Sequence, residues 1–421
     1  MKVSPSTLLA SLIAMASVGG AVLHSKKISK QSTGSLTQQK QITALQEQID
    51  KLQSENQTLK NLQESGTEIT LPIAHFKFVE DNIGFTFPKH VIARRVDQDT
   101  MMEAVRYRYI KQFTMEGMNL REYAFHKLGF LPIGETLLPQ IALAETVGAI
   151  CLYDASSNEL LLSAEYDEEN PVHASSVIKH LAIALLEQNF PLTKQQAVFL
   201  TDDAFHTRNG FIRGRSSSVA QRYSNINAFK KDADGHQKLA KPNLEAQEFF
   251  SSLPTLIRGL ITFPAVHGKT YIEDIILNND SVFPEIYLNM PKSSSTIFAK
   301  KMPLEETFRS QPQVAENEYL NTQLGQVHTM LYLKQLENSP VDLHTKLTSD
   351  LIIVSQNITD PAKRNEYTIS WTTHWKTSEA AKSFLQSASQ ISRAKEQQPT
   401  VKISELSENQ VIIQFIDIHN S

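Results

Sequence analysis

Residues 177–190 read VIKHLAIALLEQNF, and the fold of the chain turns on how that run is read. It is long, apolar and free of glycine and proline, which reads as a core helix. Lys179 and Ile183 share one face of it, because four residues advance a helix by about 400°. Two imidazoles spaced in this way, in the pattern H-E-x-x-H, hold zinc. The Glu beside the first of them takes a proton from the metal-bound water. Here the five positions are Lys179, His180, Leu181, Ala182 and Ile183. An ammonium has no lone pair and a hydrocarbon has none either. His180 stands where the general base would be.

The flanks of the helix give it a context. The stretch AICLYDASSNELLLSA (149–164), followed by ALLEQNF (184–190), resembles a bacterial family of H-E-x-x-H zinc metallopeptidases of zincin-like fold. Aligned on the shared A-L-x-x-Q-x-F, the metal motif falls on Lys179 to Ile183. A third block falls on GFIRGRS (210–216), where Gly214 is retained. Arg213 stands where the third ligand, a Glu, is expected, and Arg215 where an Asp is expected. Further blocks at 127–149, 253–272, 290–301, 321–333 and 369–385 follow in the same order, so the resemblance covers about residues 83–418. It implies the family's fold without its chemistry, since every metal or base position is substituted. No catalytic residue, metal or other cofactor is expected. Lys179 and Arg213, two cations aimed at one spot, repel zinc rather than hold it. Three fates are open to that spot. The guanidinium fills it against a carboxylate or carbonyls; Lys179, Arg213 and Arg215 bind an anion or a peptide carboxylate; or it has collapsed.

Composition narrows the class. The 421 residues are 41% hydrophobic and 20% charged, which suits a packed core. With 41 basic against 45 acidic residues the net charge is −4, which gives no case for a nucleic-acid surface. Cys151 is the sole cysteine, so no intrachain disulfide forms, and its place in the hairpin marks it as a small buried hydrophobe.

Residues 1–30 are a targeting segment. An apolar run from Leu8 to Leu23 is followed by His24, Lys26, Lys27 and Lys30. The expectation is a single uncleaved membrane anchor with the bulk of the chain outside the cytoplasm. Cleavage after Ala14-Met15-Ala16, with secretion or periplasmic release, is the alternative. Residues 31–66 hold a short coiled coil. Ile42, Leu45, Ile49, Leu52, Asn56 and Leu59 form an a/d seam, and a lone Asn at an a position favours a parallel homodimer. Residues 67–421 form the metallopeptidase-like domain.

Within that domain, 68–79 and 83–96 read as extended, and Met101 to Leu128 as helix. Residues 149–153 and 160–164 read as a hairpin able to receive a peptide by strand addition. Residues 224–248 and 301–318 read as polar loops. The end of the chain alternates strands with one helix from Ser378 to about Ala394. The fold class is therefore α+β and mainly helical, with a small α/β element at the C-terminus. Gly268-Lys269-Thr270 lacks the first glycine of a phosphate loop, because position 263 is Phe263. Asp232-Ala233-Asp234-Gly235 lacks the ligands of a calcium loop.

The function these readings favour is a membrane-tethered, catalytically inactive relative of a metallopeptidase. It would bind or scaffold a protein or peptide in the cell envelope. Two alternatives stand beside it. One is an active hydrolase with relocated ligands drawn from His173, His180 and His206 with Asp202 or Asp203. The other is a spacer in which the coiled coil is the working element.

Overall fold

The computed structural model describes residues 66–191, 200–227, 244–278, 285–302, 318–336, 340, 342–356, 366–394 and 401–418. The targeting segment 1–30, the heptad seam from Ile42 to Leu59, and the polar stretches 228–243 and 303–317 lie outside the described residues. Among the described residues no helix is long and apolar enough to cross a membrane.

The chain from Gly66 opens with strand β1 (Thr67–Ile69) and then turns into helix α1 (Ile73–Ile83). This corrects the extended reading of 68–79. The alternation there is real, but the buried residues are His75, Val79 and Ile83, four apart, which is helical spacing. Pro72 stands at the N-cap of the helix, and Gly84, at φ 86°, closes it by donating its N–H to the Glu80 carbonyl. Strand β2 (Ile92–Arg95) is all that remains of the second extended stretch.

Two helices, α2 (Gln98–Phe113) and α3 (Met115–Leu128), replace the single one expected over 101–128. The Asp97 side chain caps the first, accepting from the Thr100 amide. Thr114 breaks the pair at φ 61° and caps the second through its hydroxyl, which accepts from the Gly117 amide. Helix α4 (Leu137–Thr146) leads into the hairpin of β3 (Cys151–Asp154) and β4 (Glu159–Leu162), where it was expected.

Helix α5 (Pro171–Asn189) contains the run that opened the sequence reading. Asn170 caps it, accepting from the Val172 amide, with Pro171 at the first helical position. Nine of its residues are buried, among them Val177, Leu181 and Leu185. It packs against α6 (Asp202–Asn227), which runs on past the expected loop start at 224.

Next come α7 (Leu244–Ser252), α8 (Thr255–Phe263), a π-helical turn at Pro264–Gly268, and α9 (Lys269–Asn278). The π turn lies against α6 at very short range. A Cβ added to Gly214 would fall 2.4 Å from the Gly268 backbone carbon, and one added to Gly268 would fall 2.0 Å from the Gly210 carbonyl oxygen. Glycine at these positions is a condition of that crossing.

Short helices α10 (Glu285–Leu288) and α11 (Ser294–Ala299), strand β5 (Glu318–Thr322) and helix α12 (Gly325–Leu333) lead to the last region. A 3₁₀ turn at Leu343–Lys346 precedes β6 (Leu347–Gln356), β7 (Glu366–Trp375), α13 (Ser378–Ala394), β8 (Val401–Ser407) and β9 (Gln410–Ile418).

The first sheet has the order β1-β2-β4-β3, with β2 and β4 parallel and the other pairs antiparallel. The second has the order β5-β6-β7-β9-β8 and is antiparallel throughout. Helix α13 lies on the second sheet, burying Phe384 against Trp371 and Trp375. The architecture is mixed α and β, predominantly helical, with two small sheets.

Candidate functional site

Arg213, at the expected third-ligand position, meets a carboxylate that the sequence reading did not single out. Glu145, in the last turn of α4, lies between α2 and α6. Its Oε2 accepts from Arg213 Nη2 at 2.8 Å, and both its oxygens accept from Arg108 Nη2, at 2.7 and 2.6 Å. The Tyr109 hydroxyl adds a third donor at 3.1 Å. Burial by itself would raise the Glu145 carboxyl. The Arg108 and Arg213 guanidiniums outweigh it and hold the group well below the usual carboxylate range. The same arrangement pushes the Tyr109 hydroxyl up, through burial first and the Glu145 charge second.

Lys179 lies close enough to this cluster to feel both of its signs. Burial and the Arg213 charge depress its ammonium, while Glu145 and Cys151 act in the opposite direction. No hydrogen bond or ion pair joins Lys179 to another side chain among the described residues. The Cys151 thiol is buried, and burial raises it, which leaves it inert as a nucleophile.

His180 has a structural task. Its Nδ1 accepts from the backbone N–H of Tyr153 at 3.1 Å. Strand β3 is the edge of the first sheet, so this N–H faces away from β4 and would otherwise be unpaired. Burial, then the Lys179 and Arg213 charges, push the imidazole well below 6.5, so it is neutral and keeps the lone pair that this bond requires. All four residues of β3 are buried, and α5 packs over them. The edge expected to receive a peptide strand is therefore covered at Tyr153.

Ile183, the second motif position, packs in the core at 9% exposure. Arg215 does not join Arg213, because two residues along a helix point to different sides. It donates through Nε to the Tyr287 hydroxyl at 2.7 Å and through Nη2 to the Asn82 carbonyl. The three cations do not converge on a common anion pocket.

The residues considered as relocated ligands separate into four places. His173 accepts from the Asp167 amide at 3.0 Å beside Tyr166, and His180 is committed to Tyr153. Asp203 accepts from the Ser294 amide at 3.1 Å and from its hydroxyl, which ties α6 to α11. Asp202 and His206 come together instead with His328 on α12. One possible ligand atom from each lies within 4.8 Å of the others, and all three residues are buried. Burial pushes His206 down to about 3 and lowers His328 as well, so both rings are neutral at ordinary pH.

The sequence reading missed both Glu145 and His328. Each sits inside a block that carries the resemblance, but nothing in local spacing links 145 with 213 or 328 with 206. The one local signal was a histidine in an otherwise apolar helical run, QVHTMLYL.

No protein-family model, curated protein or solved structure matches the chain. The resemblance to metallopeptidases therefore rests on the sequence blocks at 127–164, 184–190, 210–216, 253–272, 290–301, 321–333 and 369–385 alone. Zinc does not fit the motif positions: Lys179, Ile183 and Arg213 offer it no lone pair, and the Glu145 carboxylate that Arg213 meets is held by two guanidiniums.

Proposed function

We propose that the protein is a metallopeptidase-like binding or scaffolding protein without peptidase chemistry, held at the cell envelope by its N-terminal segment and paired through its coiled coil. The observation that carries this reading is the Glu145 cluster. A peptidase of the resembling family needs a metal and a free carboxylate base on one helix face. Here that face presents a lysine, an edge-capping histidine and an isoleucine. The nearby carboxylate is fixed as a counter-ion to Arg108 and Arg213. The cluster supports the guanidinium-filled alternative over an anion pocket, since a carboxylate of the chain itself already takes the place an anion would.

Binding would then fall elsewhere on the domain. A cleft of about 1440 Å³ runs between α11, the 3₁₀ turn and α13. Among the described residues, Lys292, Lys301, Lys346 and Lys376 line it against the acidic Asp342 and Glu379. Its charge suits an acidic segment of a partner protein.

The test uses the full-length chain in detergent, with zinc present, against a library of quenched fluorescent peptides. The expected result is no hydrolysis above a buffer control. Cleavage that disappears with chelator and with His180→Ala would overturn the proposal. Titration with a labelled acidic peptide should show salt-sensitive binding that Lys346→Glu/Lys376→Glu removes.

A further inference from the structure

We propose that Asp202, His206 and His328 form a buried binding site for one divalent transition-metal ion of the zinc class, joining the N-terminus of α6 to α12. The site is distinct from the motif positions on α5 and is independent of whether the protein cleaves peptides.

Asp202 is the first residue of α6 and His206 lies one turn further on, so both project from one face. His328 comes from α12, and its ring centroid is 5.2 Å from that of His206, with the planes at 67°. The ligand atoms lie within 4.8 Å of one another, so a small inward movement of side chains closes them around an ion with bonds of about 2.0–2.2 Å.

A second observation points to a ligand. His328 Nδ1 lies 2.8 Å from the Leu324 carbonyl oxygen. A carbonyl can only accept, so Nδ1 carries the proton and Nε2 carries the lone pair. That Nε2 is buried, in a residue with 0% exposure, and has no hydrogen-bond partner among the described residues. A buried acceptor without a donor is costly to keep. An imidazole oriented by a backbone carbonyl, with its other nitrogen free, is the arrangement that outer partners impose on metal-ligating histidines.

The carboxylate is prepared in the same sense. Asp202 Oδ2 accepts from Arg121 Nη2 at 2.8 Å and from the Thr322 hydroxyl at 2.9 Å. Arg121 Nε lies 2.9 Å from Oδ1 and 3.1 Å from Oδ2, which leaves Oδ1 the less engaged oxygen. Arg121 and Thr322 therefore fix the plane of the carboxylate and leave Oδ1 a lone pair. The guanidinium charge works against a cation. Asp202 balances that charge within the ion pair itself.

Two imidazoles and one carboxylate form a borderline donor set that suits zinc better than calcium or magnesium. Exposures of 2%, 7% and 0% at Asp202, His206 and His328 leave no path for a substrate. The ion's role is to staple two helices.

The experiment is metal analysis of the full-length chain, stripped with chelator, reloaded with zinc and desalted. The expected content is about one zinc per chain, unchanged in His180→Ala and reduced at least tenfold in His206→Gln and in His328→Gln. Loading the wild-type protein with cobalt should give visible d–d absorption of a nitrogen- and oxygen-ligated ion, a readout that does not depend on any variant folding. Near-zero zinc in the wild-type protein would overturn the proposal. So would zinc that survives in the His206→Gln/His328→Gln double variant, because it would then be bound elsewhere.

Discussion

Replacing Glu145 with Gln removes one negative charge and leaves Arg108, Arg213 and Lys179 facing one another. Breaking a buried ion pair by deleting one partner costs about 3–5 kcal/mol. The Glu145 side chain is 5% exposed, but those of Arg108 and Arg213 are 26% and 21% exposed, so water recovers part of the loss. The expected cost is about 3 kcal/mol. In a unit spanning 65–421, each kcal/mol moves the thermal midpoint by about 1–2 °C, so the midpoint falls by about 3–6 °C. The assay is differential scanning calorimetry at neutral pH and moderate salt, on the single variant and on Glu145→Gln/Arg213→Gln. If the loss comes from stranded cations, the double variant melts above the single one, because one of the stranded charges is gone. A single-variant midpoint within about 1 °C of wild type would refute the reasoning. A double variant that melts lower than the single by the full cost of Arg213→Gln would refute it too, since the three residues would then not act as one charge cluster.

Three other outcomes are expected. His180→Ala leaves the Tyr153 N–H of a buried edge strand without an acceptor, at about 1–3 kcal/mol. Hydrogen exchange across β3 should accelerate, and unchanged exchange would mean that the edge is capped by something else. Gly214→Ala places a methyl group 2.4 Å from the Gly268 backbone and should cost about 1–3 kcal/mol or more, read as a lower thermal midpoint. Burial, with His267 and Lys334 acting in the same direction against Asp342, pushes His344 from 6.5 down to about 4. The unfolded chain takes up that proton first, so the stability tied to His344 is whole above 6.5 and is lost as pH falls toward 4. Between pH 7 and 5 it amounts to about 2 kcal/mol. Asp350, raised by burial to about 6, acts oppositely but equally in wild type and variant, so urea unfolding of His344→Gln should show a pH dependence shallower by that amount. Equal slopes would show that His344 is hydrated in the folded state.

The elements legible in the sequence were those whose burial is one-sided or complete and whose ends carry caps. The helix over 177–190, the hairpin with its polar turn, strands β6, β7 and β9, and helix α13 all follow from apolar spacing and turn residues within about 20 positions. Residues 68–79 misled because their alternation has the period of a strand while their buried set, His75, Val79 and Ile83, has that of a helix. Which set counts depends on the body that α1 packs against, which is α5, about a hundred residues away. The absence of metal-binding lone pairs at Lys179, Ile183 and Arg213 was also legible, since it is a property of residue types. What those side chains meet was not. The charge of Arg213 is balanced by Glu145, 68 positions earlier, and the free nitrogen of His328 meets Asp202 and His206 only through the packing of α12 on α6. Local sequence sets each residue's chemistry and helical phase; pairing between distant buried charges is decided by the tertiary fold, because only there does desolvation make an unpartnered charge too costly to leave alone.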